Sequence, residues 1–355
     1  MSQLSKWRAS AECHEDYGFF GPDSVTWKVW SYPTSLTIGF QRSVVVEELD
    51  PALIAAVDAT QAIVDRPRTR YDRTLRYFAM VAFGDSRSTS KAADILVKVH
   101  SKGIGIEPLS GKPYDANDPD SQLWIHLTAW HSILYAYEKF GPGRLDPEEE
   151  AQYWQECAIA AELQTCSPDD VPRTREGVQE YFAFMRPRLA GSEAAQKMMA
   201  HLLRAEIMLP PVPLLLRPGS WVVARVLRAG TLATMPRWMR SLGGLRQSRL
   251  VDVLATLVLR TSFRTVHLST RLELMLLQML SPMTVPVVKP ILLGVPPANP
   301  VTLTPAEARE RYGYDRPAEA HLALRAKQAR RVFGEGGAPS DEGIIESQAV
   351  LGSIA

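Results

Sequence analysis

Apolar positions recur at helical spacing along most of this chain, and alternation of the kind a strand needs is rare. Residues 51–64 place Leu53, Ile54, Val57 and Ile63 on one face. A second helix is predicted over 70–83, ended by Gly84. A third, over 90–102, carries Ala92, Ile95, Leu96 and Val99 and stops at Gly103 and Gly105. The fourth, over 119–140, repeats Leu123, Leu127, Trp130, Leu134 and Tyr137 at steps of four and three. Further helices fit 147–164, 173–189, 192–208, 221–229, 236–242, 247–259, 269–280, 305–312 and 317–333.

Five of these starts share one device: Asp50-Pro51, Asp118-Pro119, Asp146-Pro147, Ser167-Pro168 and Thr304-Pro305. A short polar side chain accepts from a first-turn N–H, and proline follows where no N–H is needed. Acidic residues then sit in the first turn, at the positive end of the helix dipole. The pattern predicts an all-α fold, with one large helical domain over 46–333. Residues 1–45 read as an irregular wrap over it, with a short strand at 24–30. The proline-rich run after Leu280 is too broken for a long helix. From residue 334 to 355 a poorly ordered tail is expected, in which Ile344 and Ile345 could dock.

The composition is that of a soluble globular chain: 355 residues, 46% hydrophobic and 22% charged. A net charge of +1 gives no electrostatic case for nucleic acid. Three separated cysteines, Cys13, Cys157 and Cys166, make neither a disulfide framework nor a cysteine-rich zinc site, which points to a reducing, cytoplasmic setting. The first residues carry no apolar signal region, and no window approaches about 18 apolar residues, so no spanning helix is expected. Contact with a membrane surface stays open.

Chemistry concentrates between residues 70 and 141. Three of the seven histidines, His100, His126 and His131, lie there inside helical patterns. They follow a basic run of Arg66, Arg68, Arg70, Arg73 and Arg76 among Tyr71, Tyr77 and Phe78. Neither Asp nor Glu stands three before any of these histidines, which excludes the carboxylate di-iron pattern. The zinc-peptidase, nucleophile-elbow, P-loop and dinucleotide fingerprints are absent. His14, Glu15 and Asp16 read as solvated polar residues rather than a metal site. A haem would take a neutral imidazole at the edge of an apolar stripe, with arginines for its carboxylates. A hydrogen-bonded core histidine fits the same pattern, so the residues alone leave haem and a plain helical core both open.

The ordered series of motifs adds to this. Arg70-x-x-x-Thr74 leads through an aromatic run to Phe83-Gly84-Asp85. Val99-His100 with Gly105 follows, then Gly111-x-x-Tyr114-x-Ala116-x-Asp118-Pro119 and Leu123-Trp124-Ile125-His126-x-Thr128. Tyr137-Glu138-Lys139-Phe140-Gly141 precedes Tyr153-Trp154. Over residues 46–215 the chain resembles the MpaB-type oxygenase superfamily, which includes the latex-clearing rubber oxygenases. The resemblance implies a globin-like helical core holding one haem b, with His100 as the proximal ligand of the iron. His126 is the second choice for that position, and His131 is structural. Arg70 and Thr74 would lie beside the haem. Where rubber oxygenases carry a lysine just before the threonine, this chain has Arg73. Arginine does not readily lose its proton to ligate iron, so Arg73 would instead donate a hydrogen bond to dioxygen. Glu47, Glu48 and Arg173 are further pocket candidates, while Trp124 and Trp130 are expected as core. The implied activity is a haem-dependent oxygenase acting with dioxygen on an apolar, isoprenoid or unsaturated lipid substrate. The alternative is a non-catalytic haem or apolar-ligand carrier on the same fold.

Overall fold

A computed structural model describes residues 3–60, 66–204 and 208–345. The fold is all-α. Among the described residues, seventeen α-helices are joined by turns and loops, and the strands form one two-stranded antiparallel ribbon, β1 (Ile104–Ile106) and β2 (Pro113–Asp115). The helices are α1 (Gln3–Ala9), α2 (Val25–Trp30), α3 (Phe40–Glu47), α4 (Pro51–Thr60), α5 (Pro67–Phe83) and α6 (Ser86–His100). After the ribbon come α7 (Pro119–Phe140), α8 (Pro147–Ala161), α9 (Arg175–Met185), α10 (Glu193–Leu202), α11 (Arg217–Thr234) and α12 (Arg237–Leu242). The chain ends with α13 (Arg249–His267), α14 (Thr270–Leu280), α15 (Val285–Leu292), α16 (Pro305–Tyr312) and α17 (Leu322–Ala329).

The capping side chains act as their spacing predicts. Asp118 accepts from Ser121 N at 3.0 Å, Asp146 from Glu149 N at 2.9 Å and Asp50 from Leu53 N at 2.8 Å. Thr304 and Glu307 cap each other reciprocally at the start of α16. Ser167 caps only a three-residue turn, and α9 begins instead behind Thr174. The first predicted helix is described as far as Thr60; Ile63 lies outside the described residues. Residues 346–355 of the C-terminal tail do too; of its described part, Ile344 is buried while Ile345 is exposed.

The 22-residue α7 runs through the centre, buried on nearly every side. A helix wrapped all round by protein carries apolar residues all round, and Trp124 and Trp130 are core side chains on opposite parts of it. Trp130 meets Trp30 and Tyr153, both with ring centroids at 5.1 Å.

Residues 24–47 correct the sequence expectation. Ser24–Trp30 is not a strand: Ser24 Oγ accepts from Trp27 N at 3.1 Å and opens α2. Six residues that are buried on both faces cannot be told apart as helix or strand by periodicity. α2, the wide turn Ser35–Gly39 and α3 are not an outer wrap either; Val29, Trp30 and Ile38 are among the most buried residues of the chain. Glu156 on α8 holds the start of α2, accepting from Thr26 N and Thr26 Oγ1, each at 2.6 Å. Asp16, expected in solution, is buried. It accepts from Gly18 N at 2.8 Å and Ser86 N at 2.7 Å and also bonds Ser86 Oγ, pinning the N-terminal segment to the start of α6.

Candidate functional site

The site is assembled from the ends of three helices. α3 finishes at Glu47 and Glu48, α5 carries Arg70, Arg73 and Thr74 in its first turns, and α6 finishes at His100. Each location has a local cause. α3 is anchored by its contact with α7, where Trp124 Nε1 donates to the Glu47 carbonyl at 3.2 Å. α6 stops at His100 because Gly103 N turns back to the His100 carbonyl at 2.8 Å, leading into the glycine-containing ribbon. α5 holds Arg70 and Thr74 one turn apart, and Thr74 Oγ1 donates to the Arg70 carbonyl at 2.9 Å.

The three histidines differ in what their rings touch. His126 is fully buried and turned toward α8. Its Nε2 lies 2.7 Å from the Cys157 carbonyl and its Nδ1 lies 3.1 Å from Gln164 Nε2. In the tautomer that satisfies both, Nε2 donates to the carbonyl and Nδ1 accepts from the amide, so no lone pair is left for a metal. Burial pushes its pKa down to about 4, partly opposed by the Cys157 carbonyl. His131 accepts from Arg42 Nη1 at 3.3 Å and lies against Phe182, with ring centroids at 4.9 Å. His100 has no hydrogen-bond partner for either ring nitrogen among the described residues, and it keeps accessible surface. Burial, reinforced by the Arg70 charge, holds its pKa down at about 4, so the imidazole is neutral at pH 7 with a lone pair available.

Arg70 shows the same combination. Its side chain is exposed to solvent-sized contact yet enclosed by surrounding protein, and its guanidinium makes no ion pair among the described residues. Burial lowers the Arg70 pKa, Glu48 and Glu47 raise it and Arg73 lowers it, which places all of these charges around the one guanidinium. Arg73 is half-buried beside it, held down by burial and by Arg66.

Two carboxyls complete the wall. Burial pushes Glu47 up to about 7, against a hydrogen bond from Ser43 Oγ and the attraction of Arg70. Burial and the adjacent Glu47 push Glu48 well above the carboxylate range, with Arg70 opposing. Glu47 is thus poised to exchange a proton near neutral pH. Glu48 Oε2 and the Tyr71 hydroxyl are buried without a partner among the described residues. Unsatisfied buried polar atoms are uncommon in finished cores and mark places built around something else. Arg173 is elsewhere: it donates to the Pro168 carbonyl at 3.1 Å.

Sequence reasoning had no signal for Tyr71 as a site residue, since an aromatic beside a basic helix face reads as packing. It also passed over Arg42. That side chain is 2% exposed, its Nη1 donates to Ser132 Oγ at 2.5 Å, and its guanidinium lies 5.3 Å from the Tyr135 ring centroid. No group of three or more His, Cys, Asp or Glu able to hold a metal ion occurs among the described residues. A single imidazole with a porphyrin is therefore the kind of metal ligation these residues could support, and the unpaired Arg70 guanidinium fits the carboxylates such a group carries.

One protein-family model, described as the ER-bound oxygenase mpaB/B'/rubber oxygenase catalytic domain, matches residues 27–268. It begins inside α2, so the segment read as an outer wrap lies partly within the matched region. No curated protein and no solved structure matches the chain.

Proposed function

Because the chain belongs to the ER-bound oxygenase mpaB/B'/rubber oxygenase catalytic-domain family, and is thus an oxygenase and an oxidoreductase, we propose that it is a haem b-dependent enzyme. Its substrates in this reading are dioxygen and an apolar, isoprenoid or unsaturated lipid. One observation carries the proposal: of three helical histidines, His100 alone has both ring nitrogens without a hydrogen-bond partner among the described residues, and it lies within reach of the Arg70 charge.

Bound haem supplies an iron centre at which dioxygen is activated. In this reading His100 would hold the iron through its imidazole, neutral at physiological pH because its site is buried and cationic. Arg70 would hold a haem carboxylate, as a guanidinium without an ion pair among the described residues can. Thr74 donates its own proton to Arg70 O on the same turn. Arg73, a guanidinium, would donate to an oxygen atom rather than bind iron. Glu47 takes up or releases a proton near pH 7, and Glu48 is raised by burial beside it. His126 packs the core behind the site. Three free cysteines, two of them buried, fit a reducing, cytoplasmic setting.

The visible spectrum of the full chain expressed with haem tests this. A Soret band that is lost in His100→Ala is expected. A chain without a Soret band under haem-supplemented expression, or a band that survives His100→Ala and vanishes in His126→Ala, refutes the ligand assignment. Dioxygen consumption with an unsaturated isoprenoid then separates an enzyme from a carrier on the same fold.

A further inference from the structure

We propose that α11, α13 and α14 together form a docking face for an anionic lipid bilayer, on which the protein lies without crossing it. Among the described residues, sixteen of the twenty-four exposed large apolar side chains fall between Leu214 and Met279. Such a concentration exceeds the scatter of single apolar residues normal on a protein surface. On α13, Leu250, Leu254 and Leu257 recur at helical spacing on the outer side, 67%, 52% and 60% exposed, while Ala255, Leu259 and Phe263 pack inward. α13 packs along α11 and joins α14 through the turn at Leu268, which is 86% exposed, so the three helices that carry these side chains are neighbours.

Charge decides what covers this face. Residues 211–279 contain ten arginines, no lysine and only two acidic residues, in a chain whose whole net charge is +1. Both acids are engaged internally. Asp252 accepts from Arg240 Nη1 at 3.0 and 3.1 Å and from Gln247 at 2.7 Å, and Glu273 is buried and bonded to His267 at 2.8 Å. The outward charge is therefore cationic. A second copy of the chain would set one cationic face against another, whereas anionic headgroups neutralise it. Arg225 lies over the Trp221 ring, 4.9 Å from its centroid, joining an apolar ring to a guanidinium at the edge of the face as suits a headgroup boundary. No described helix is long and apolar enough to cross a membrane.

The far end of this face reaches the candidate site. Arg68 Nη2, two residues before Arg70, donates to the Met279 carbonyl at 3.2 Å, and Ser281 Oγ is hydrogen-bonded to Asp72. If the haem reading above holds, a bilayer beside α14 lies next to the helix that carries Arg70; the docking itself does not rest on that reading.

Cosedimentation of the full chain with vesicles tests the proposal. Binding is expected to mixed phosphatidylglycerol and phosphatidylcholine vesicles, to be weak for phosphatidylcholine alone, and to fall as salt rises to about 0.5 M. Arg249→Gln and Arg271→Gln should each weaken binding about fivefold, and Leu254→Gln with Leu257→Gln should release the protein. Both leucines are exposed, so the fold should survive, as an unchanged circular dichroism spectrum would confirm. The proposal is overturned if the wild type stays in the supernatant with anionic vesicles. It is also overturned if the double leucine variant binds as before, or if the wild type is a stable dimer in solution that the double variant dissociates. All of these readouts need no haem, so a failed docking test and a missing Soret band are separate results.

Discussion

Glu47 gives the sharpest quantitative prediction. Its carboxyl, buried at the C-terminal end of α3, is held protonated up to about pH 7, against an ordinary value of 4.5. Unfolding releases it to water, where it ionises near that ordinary value. Between the two values the folded protein carries a proton that the unfolded chain has lost. The contribution to stability is therefore fully present at low pH and lost as pH rises through about 7. The difference between the two values corresponds to about 3 kcal/mol. Glu47→Gln keeps the shape and keeps an oxygen to accept from Ser43 Oγ, but it cannot ionise. Urea unfolding of the haem-free protein should find the two chains equally stable near pH 4 and the variant more stable by about 3 kcal/mol near pH 8. Wild-type and variant curves that run parallel from pH 4 to 8 would refute the burial argument and, with it, the role of Glu47 in proton exchange.

Arg70→Ala should move that transition to higher pH, because the guanidinium is what favours the ionised form of Glu47; the same variant should retain haem less well, as read by the Soret band after gel filtration. His126→Ala removes contacts to Cys157 and Gln164 and opens a core cavity, costing about 3 kcal/mol in denaturant unfolding, with the Soret band kept in the folded fraction. Asp16→Asn replaces a carboxylate that accepts from Gly18 N and Ser86 N and bonds Ser86 Oγ with a neutral amide, and should cost about 2 kcal/mol, measured as a lower urea midpoint.

Much of this molecule was written locally. The Asp-Pro and Thr-Pro starts, the glycine stops and the apolar steps of four and three determine α4, α7, α8 and α16, because capping and periodicity act over a few neighbouring residues. Arg70, Thr74 and His100 could be singled out from motif order for the same reason: each helix carries its own signal. The chain could not, by itself, rank three histidines on similar apolar stripes. That ranking depends on partners 31 and 38 residues away for His126 and 89 residues away for His131. Nor could it say that residues 25–47 fold inward as helices, since short doubly buried segments have no diagnostic period. Only that packing brings Glu47 and Glu48 to Arg70 and desolvates them, raising both carboxyls above their ordinary value. The composition likewise reports a balanced chain, while only the fold decides that Leu250, Leu254 and Leu257 of α13 stay exposed as Ala255, Leu259 and Phe263 pack inward. Local spacing determines which helices form; desolvation and unpaired charge exist only once distant segments meet, and the candidate chemistry of this protein depends on them.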